Sequence, residues 1–169
     1  MNFVAPLIAA IMSGPGPATP LLERLADCEP GEIRIRTLRC GRAALDERDA
    51  ATLDASPGEE CWWRDGVMEL PEWVALARTF CALLPGGPVT EEVLAGLEAG
   101  TPAGTALPGL ERGYQAALDV TGQPGKYGVA VESRALLLLD GQIRGYAAEV
   151  FPVTACTWLA CKMDASVLA

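Results

Sequence analysis

The chain has no histidine. The commonest metal ligand and the usual proton carrier near neutral pH are therefore missing, and the six cysteines, Cys28, Cys40, Cys61, Cys81, Cys156 and Cys161, include no Cys-x-x-Cys pair. A zinc site is not expected. Positive charge is scarce as well. The 13 Lys and Arg against 22 Asp and Glu leave a net charge of −9, which repels phosphate backbones and acidic membrane surfaces. Nucleic acid is not an expected partner. Long apolar runs are also missing: none approaches the ~20 residues that a membrane-spanning helix needs. The apolar start, Phe3 to Met12, superficially resembles a signal peptide, but no Lys or Arg precedes it. The expectation is a packed N-terminal helix in a cytoplasmic protein. No phosphate-binding loop or nucleophile triad stands out.

What is present is a chain of 169 residues, half of them apolar, long enough for one domain over 1–169 with its own core. Such a core needs no disulfide staples, so reduced thiols are expected. Leu7, Ile8, Ile11 and Met12 share a helical face that ends at Gly14-Pro15-Gly16-Pro17. Thr19 is placed to cap a second helix, with Pro20 at its first position and Leu21, Leu22 and Leu25 as its apolar stripe. Glu32 to Cys40 alternates as a half-exposed strand, Ile33, Ile35 and Thr37 against Arg34, Arg36 and Leu38. After a polar, turn-rich stretch from Asp46 to Glu60 come two strands, Cys61 to Met68 and Trp73 to Leu83.

Pro85-Gly86-Gly87-Pro88 marks a boundary. Beyond it Thr90 caps a short helix, Glu91 to Leu97; Gly100 to Pro108 is a small-residue turn; and Leu110 to Leu118 reads as a further helix. Two strands follow, Val129 to Leu139 and Gln142 to Val153, joined by Asp140-Gly141. Both residues of such a hairpin turn need positive φ, which Asp and Gly tolerate. The two halves, about 1–84 and 85–169, thus repeat one plan of short helices around a Gly/Pro turn followed by strands.

Trp62-Trp63-Arg64 is followed by Pro71, Trp73 and Ala77-Arg78-Thr79; then comes the turn Gly100-Thr101-Pro102-Ala103-Gly104; then Ser133-Arg134, Asp140-Gly141, Glu149, Phe151 and Pro152. In that order and spacing, over about Ile11 to Pro152, these strings resemble the bacterial chorismate pyruvate-lyase family. The resemblance implies an α+β fold: a six-stranded antiparallel sheet from a duplicated two-helix, three-strand unit, with helical flaps over a buried pocket. It implies a lyase that eliminates pyruvate from chorismate to leave 4-hydroxybenzoate, at the start of ubiquinone synthesis, with no cofactor. The partner is then a small aromatic or cyclohexadiene carboxylate, and the chain a monomer or small homo-oligomer. By position, Arg64 would hold the ring carboxylate and Glu149 the ring hydroxyl, as the catalytic pair. The backbone near Ala18 and Ala103, with Arg78 as a second anchor, would help bind substrate. A guanidinium matches a planar carboxylate with two parallel charge-assisted hydrogen bonds. Sensor domains of some transcription regulators share the fold, so a non-catalytic aromatic-acid sensor is the alternative. No basic DNA-reading stretch precedes the domain, which leaves the lyase as the leading expectation.

On the residues alone, these side chains have second readings. Arg64 is equally an outward strand arginine, or a partner of Asp65 or Glu149. Arg78 is equally a sheet-surface charge, Arg134 reads as structural, and Trp62, Trp63 and Trp73 read as core. Glu149 lies among Tyr146, Ala147, Ala148, Val150 and Phe151; burial there would raise its pKa toward neutrality. Ile143, Gly145, Ala147 and Phe151 are expected on its face. A gapless match anchored at Gly141 and Pro152 puts Ala148 in the glutamate position, and a one-residue slip turns Glu149 outward. A bulge near Gly145 restores it. In the first flap Gly16-Pro17-Ala18-Thr19 replaces the family's acidic, serine, large apolar, threonine string, and Ala103 stands where leucine is familiar. Both changes would widen the pocket. The tail from Thr154 to Ala169 exceeds what the family needs.

Overall fold

Alternating side chains generate six strands: β1 (Arg34–Ala44), β2 (Glu60–Glu69), β3 (Ala75–Leu83), β4 (Glu111–Asp119), β5 (Val129–Leu139) and β6 (Gln142–Pro152). They form one antiparallel sheet in the order β1-β2-β3-β6-β5-β4. Each half of the chain contributes a three-strand meander, and the meanders join where β3 pairs with β6. This is the α+β, six-stranded architecture expected from the sequence. It comes from a computed structural model, which describes residues 16–119 and 128–167; the helix expected over Leu7 to Met12 lies outside them.

The helices are α1 (Ala18–Ala26), α2 (Glu47–Leu53), α3 (Glu91–Glu98), α4 (Ala103–Ala106) and α5 (Val153–Val167). The Thr90 side chain caps α3 by accepting from the Val93 amide at 3.3 Å, as expected. Thr19 does not cap α1: the helix opens at Ala18 after Pro17, and Thr19 is a buried member of its first turn. The polar, turn-rich stretch 46–60 contains α2, which was not expected there. Its start is fixed by Asp46, whose carboxylate accepts from the Asp49 amide at 2.8 Å.

Two further expectations fail for tertiary reasons. Leu110 to Leu118 was expected to be helical, but Glu111–Asp119 is strand β4. Gly113 weakens a helix there, and β5 offers a full ladder from Glu111↔Leu138 to Asp119↔Val131, broken once near Gln115. Trp73 lies in a 3₁₀ turn, Pro71–Trp73, so β3 begins at Ala75 instead. At the other hairpin, Asp140 (φ 51°) and Gly141 (φ 73°) both adopt the positive φ that their identities predict.

One face of the sheet, the inner one, carries two apolar clusters. Beneath α1 and α5 lie Leu22, Ile33, Leu76, Phe151 and Leu159; beneath α3 and α4 lie Trp62, Leu83, Leu94, Leu97 and Leu137. Burying each such side chain stabilises by roughly 1.5–3 kcal/mol. The unexplained tail is thereby accounted for: as α5 it returns Cys156 and Leu159 to the core. The outer face is covered more sparsely, by α2 packing Ala50 and Leu53 onto Cys61 and Ala82. Among the described residues, no helix is long and apolar enough to cross a membrane.

Candidate functional site

The seam between the two inner clusters is where charge is buried. Arg64 on β2 pairs in register with Cys81 on β3, which pairs with Ala147 on β6, so all three face inward. Arg64 is 3% exposed. Its Nη1 donates to the Thr101 carbonyl at 3.0 Å and to the Leu97 carbonyl, both on the α3–α4 segment, while its Nε has no hydrogen-bond partner. Among the described residues, no carboxylate pairs with it. Burial pulls this guanidinium below the ordinary arginine value, partly offset by the neighbouring Cys81 and Cys40 sulfurs. The Cys81 thiol is itself pushed up by burial to about 11, so it is a neutral wall and not a nucleophile.

Glu149 faces the same side, also 3% exposed, with Thr79 opposite it on β3 and Ser133 opposite it on β5. Strand geometry puts its Cα about 12 Å from that of Arg64, two strands across and two residues along. What turns it inward is the predicted bulge. Leu137 pairs with Gly145 but Leu138 with Ile143, so Arg144 is an extra residue in β6, one position before Gly145. Gly145 is needed because a Cβ there would lie 2.2 Å from the Ala82 carbonyl oxygen. The same bulge corrects one expectation: Ile143 leaves the Glu149 face and packs outside, with Trp63 and Tyr146.

A residue not singled out from the sequence completes the site. Arg112 on β4 grips Glu149 with two parallel bonds, Nη1 to Oε2 at 2.9 Å and Nη2 to Oε1 at 2.7 Å, and the Ser133 hydroxyl donates to Oε2 at 3.1 Å. Burial alone would raise the Glu149 pKa, as expected. The Arg112 charge, its hydrogen bonds and that of Ser133 outweigh it and hold the carboxyl below its ordinary value. Glu149 is therefore an ionised acceptor, not a proton donor near neutrality. The sequence hides Arg112 because its segment has helix-favouring residues and becomes a strand only by pairing with β5. The available signal was that the duplicated plan left the second half one strand short.

The flaps meet over this seam. A Cβ on Gly104 would lie 2.3 Å from that of Pro17, so the turn before α1 and the turn at α4 close on each other. Ala103 lines the space between Arg64 and Glu149; on the first flap it is Thr19, not Ala18, that does so, and Ala18 is buried. The space is about 30 Å³, room for about two waters. The Arg112–Glu149 pair lines it together with Ala103.

Arg78 is not part of the site. It pairs with Val67, an odd number of residues from Arg64, and so points to the outer face. There its Nε and Nη2 grip Asp65 at 2.6 Å each, with 53% of the side chain exposed. Arg134 is likewise outside, bonded to Glu132. Trp62 is core, its Nε1 donating to Glu98 at 3.0 Å, whereas Trp63 lies on the outer face, half-buried.

No protein-family model matches the chain, and no curated protein matches it. Among solved structures it is similar to a transcriptional regulator of the GntR family from Enterococcus faecalis V583, at 11% identity and a TM-score of 0.45, over 72% of this chain and 94% of that one.

Proposed function

We propose that the inner site binds a small aromatic or cyclohexadiene carboxylate, and that its reaction is the elimination of pyruvate from chorismate to give 4-hydroxybenzoate. The observation that carries this reading is Arg64: a buried guanidinium that pairs with no carboxylate among the described residues, with one nitrogen unsatisfied. A buried cation is costly without an anion, and a ligand carboxylate is the natural complement. It would displace the Leu97 and Thr101 carbonyls, freeing the α3–α4 flap to move off the seam and admit the ring. Glu149, kept ionised by Arg112, is suited to accept the hydrogen bond of the ring hydroxyl at the far end.

The substrate supplies the driving force. The bond from the ring to the enolpyruvyl oxygen breaks with its electron pair on oxygen, the hydrogen on the adjacent hydroxyl-bearing carbon leaves as a proton, and the enolate takes up a proton on carbon to become pyruvate. The remaining ring is aromatic. The protein need only exclude water and hold the reactive conformer between its cation and its anion. The test is to incubate the chain with chorismate and follow pyruvate. Release above the uncatalysed rate, lost in Arg64→Met, is the expected result. Binding of 4-hydroxybenzoate without turnover would assign the site to sensing instead, and neither binding nor turnover would reject it as a carboxylate site.

A further inference from the structure

We propose that the outer face of the sheet carries a second ligand site, which takes a planar aromatic anion of more than one ring. There α2 walls a cavity of about 470 Å³ whose floor is Trp63, Phe80, Ala82 and Tyr146, with Arg48 and Arg134 at its sides. That volume falls within the roughly 300–1,000 Å³ of sites for drug-sized molecules.

Register gives the cavity its shape. Across the outer face Trp63 pairs with Ala82 and Ala82 with Tyr146; in the next row Phe80 pairs with Ala148 and Ala148 with Arg134. Aromatic rings thus alternate with methyl side chains, which leaves flat gaps between rings where larger side chains would have interdigitated. The Trp63 indole lies over Gly41 of β1, where a Cβ would already touch it at 3.5 Å.

The lining offers more donors than acceptors. Among the described residues, the Trp63 indole N–H and the Tyr146 hydroxyl have no hydrogen-bond partner, and Arg48 makes no ion pair. Arg134 places both Nε (3.2 Å) and Nη2 (2.7 Å) on a single oxygen, Glu132 Oε1, and is half-exposed. Asp49 is the one acidic side chain lining the cavity among the described residues. Flat apolar surface beside surplus donors and two guanidiniums selects a fused or linked ring system bearing a carboxylate or sulfonate.

The probe is 1-anilinonaphthalene-8-sulfonate, titrated into the full chain by calorimetry and followed in ¹H–¹⁵N spectra. One site per chain is expected, moving the indole N–H signal of Trp63 but not that of Trp62, which lies on the inner face. Arg48→Glu should weaken binding about tenfold, the scale of one charge-assisted contact, and Arg64→Met should leave it unchanged. Arg48 is exposed, so its variant keeps the fold; Ala82→Phe blocks the floor as an independent check. The proposal is overturned by the absence of saturable binding, by binding that neither Arg48→Glu nor Ala82→Phe alters, or by binding that Arg64→Met abolishes.

Discussion

The inner and outer faces of the sheet are built from alternate residues of the same strands, yet they treat charge in opposite ways. Inside, Arg64, Arg112 and Glu149 are withdrawn from water, and among the described residues the Arg64 end has no anion. Outside, Arg36, Arg39, Arg78 and Arg134 are half-exposed or more, and each holds an Asp or Glu. Water reaches the arginine of each outer pair, though Glu69, Asp65 and Glu132 are themselves largely covered, so these pairs are partly screened. The inner charges have no such screening, so each must find a partner or wait for one. Two arginines on neighbouring strands, Arg64 and Arg78, thus differ in role through strand parity alone.

The largest effect expected is on the inner cation. If Arg64 anchors the substrate carboxylate, Arg64→Met lowers kcat/KM for pyruvate release at least about 100-fold, because two bonds of roughly 1.5–3 kcal/mol each are lost. Its melting temperature should change little, since a buried cation facing no carboxylate is exchanged for an apolar chain. A severe loss of stability in this variant would instead make Arg64 a structural strut for the flap.

Next comes the inner ion pair. Glu149→Gln strips Arg112 of its carboxylate and should cost about 3–5 kcal/mol in urea unfolding, with much of it recovered in Glu149→Gln/Arg112→Met. The pH dependence has a definite sign. Glu149 binds its proton less readily folded than unfolded, so its contribution is complete above the ordinary glutamate range and fades as pH falls through the lower, folded value. Glu149→Gln should flatten that acid-side slope. An unchanged slope would mean that the pair does not hold the carboxyl ionised.

Gly145→Ala sharpens the comparison by attacking what sorts the faces. Its Cβ would press on the Ala82 carbonyl and lie 2.7 Å from a Leu83 methyl, an overpacking worth about 1–3 kcal/mol by denaturant unfolding. Smallest is Arg78→Ala: about 1 kcal/mol in stability, since Arg39 still holds the largely buried Asp65, and about twofold at most in turnover. A loss of turnover equal to that of Arg64→Met would erase the distinction between the faces.

Much of this was legible because it was local. The Thr90 cap and the Asp140-Gly141 hairpin depend on residues only a few positions apart, whose backbone angles their own side chains dictate. The inward placement of Arg64 and Glu149 was implied by the family resemblance, while alternation by itself left both open. Arg112 was not. Ala116, Ala117 and Leu118 favour a helix when taken alone, and only the ladder to β5 makes their segment a strand. The low pKa of Glu149 was missed for the same reason, since the charge that lowers it lies 37 residues away.

By itself the sequence determined five of the six strands, the two-half plan, the turn geometries and the shortage of positive charge, because each follows from composition or from short-range sterics. Only tertiary structure decided that Arg112 would close on Glu149, that the flaps would shrink the inner space to about 30 Å³, and that α2 would stand off an outer cavity of about 470 Å³. Those outcomes depend on which strands become neighbours. That choice is made by burying distant apolar faces together, and no short window of residues contains it.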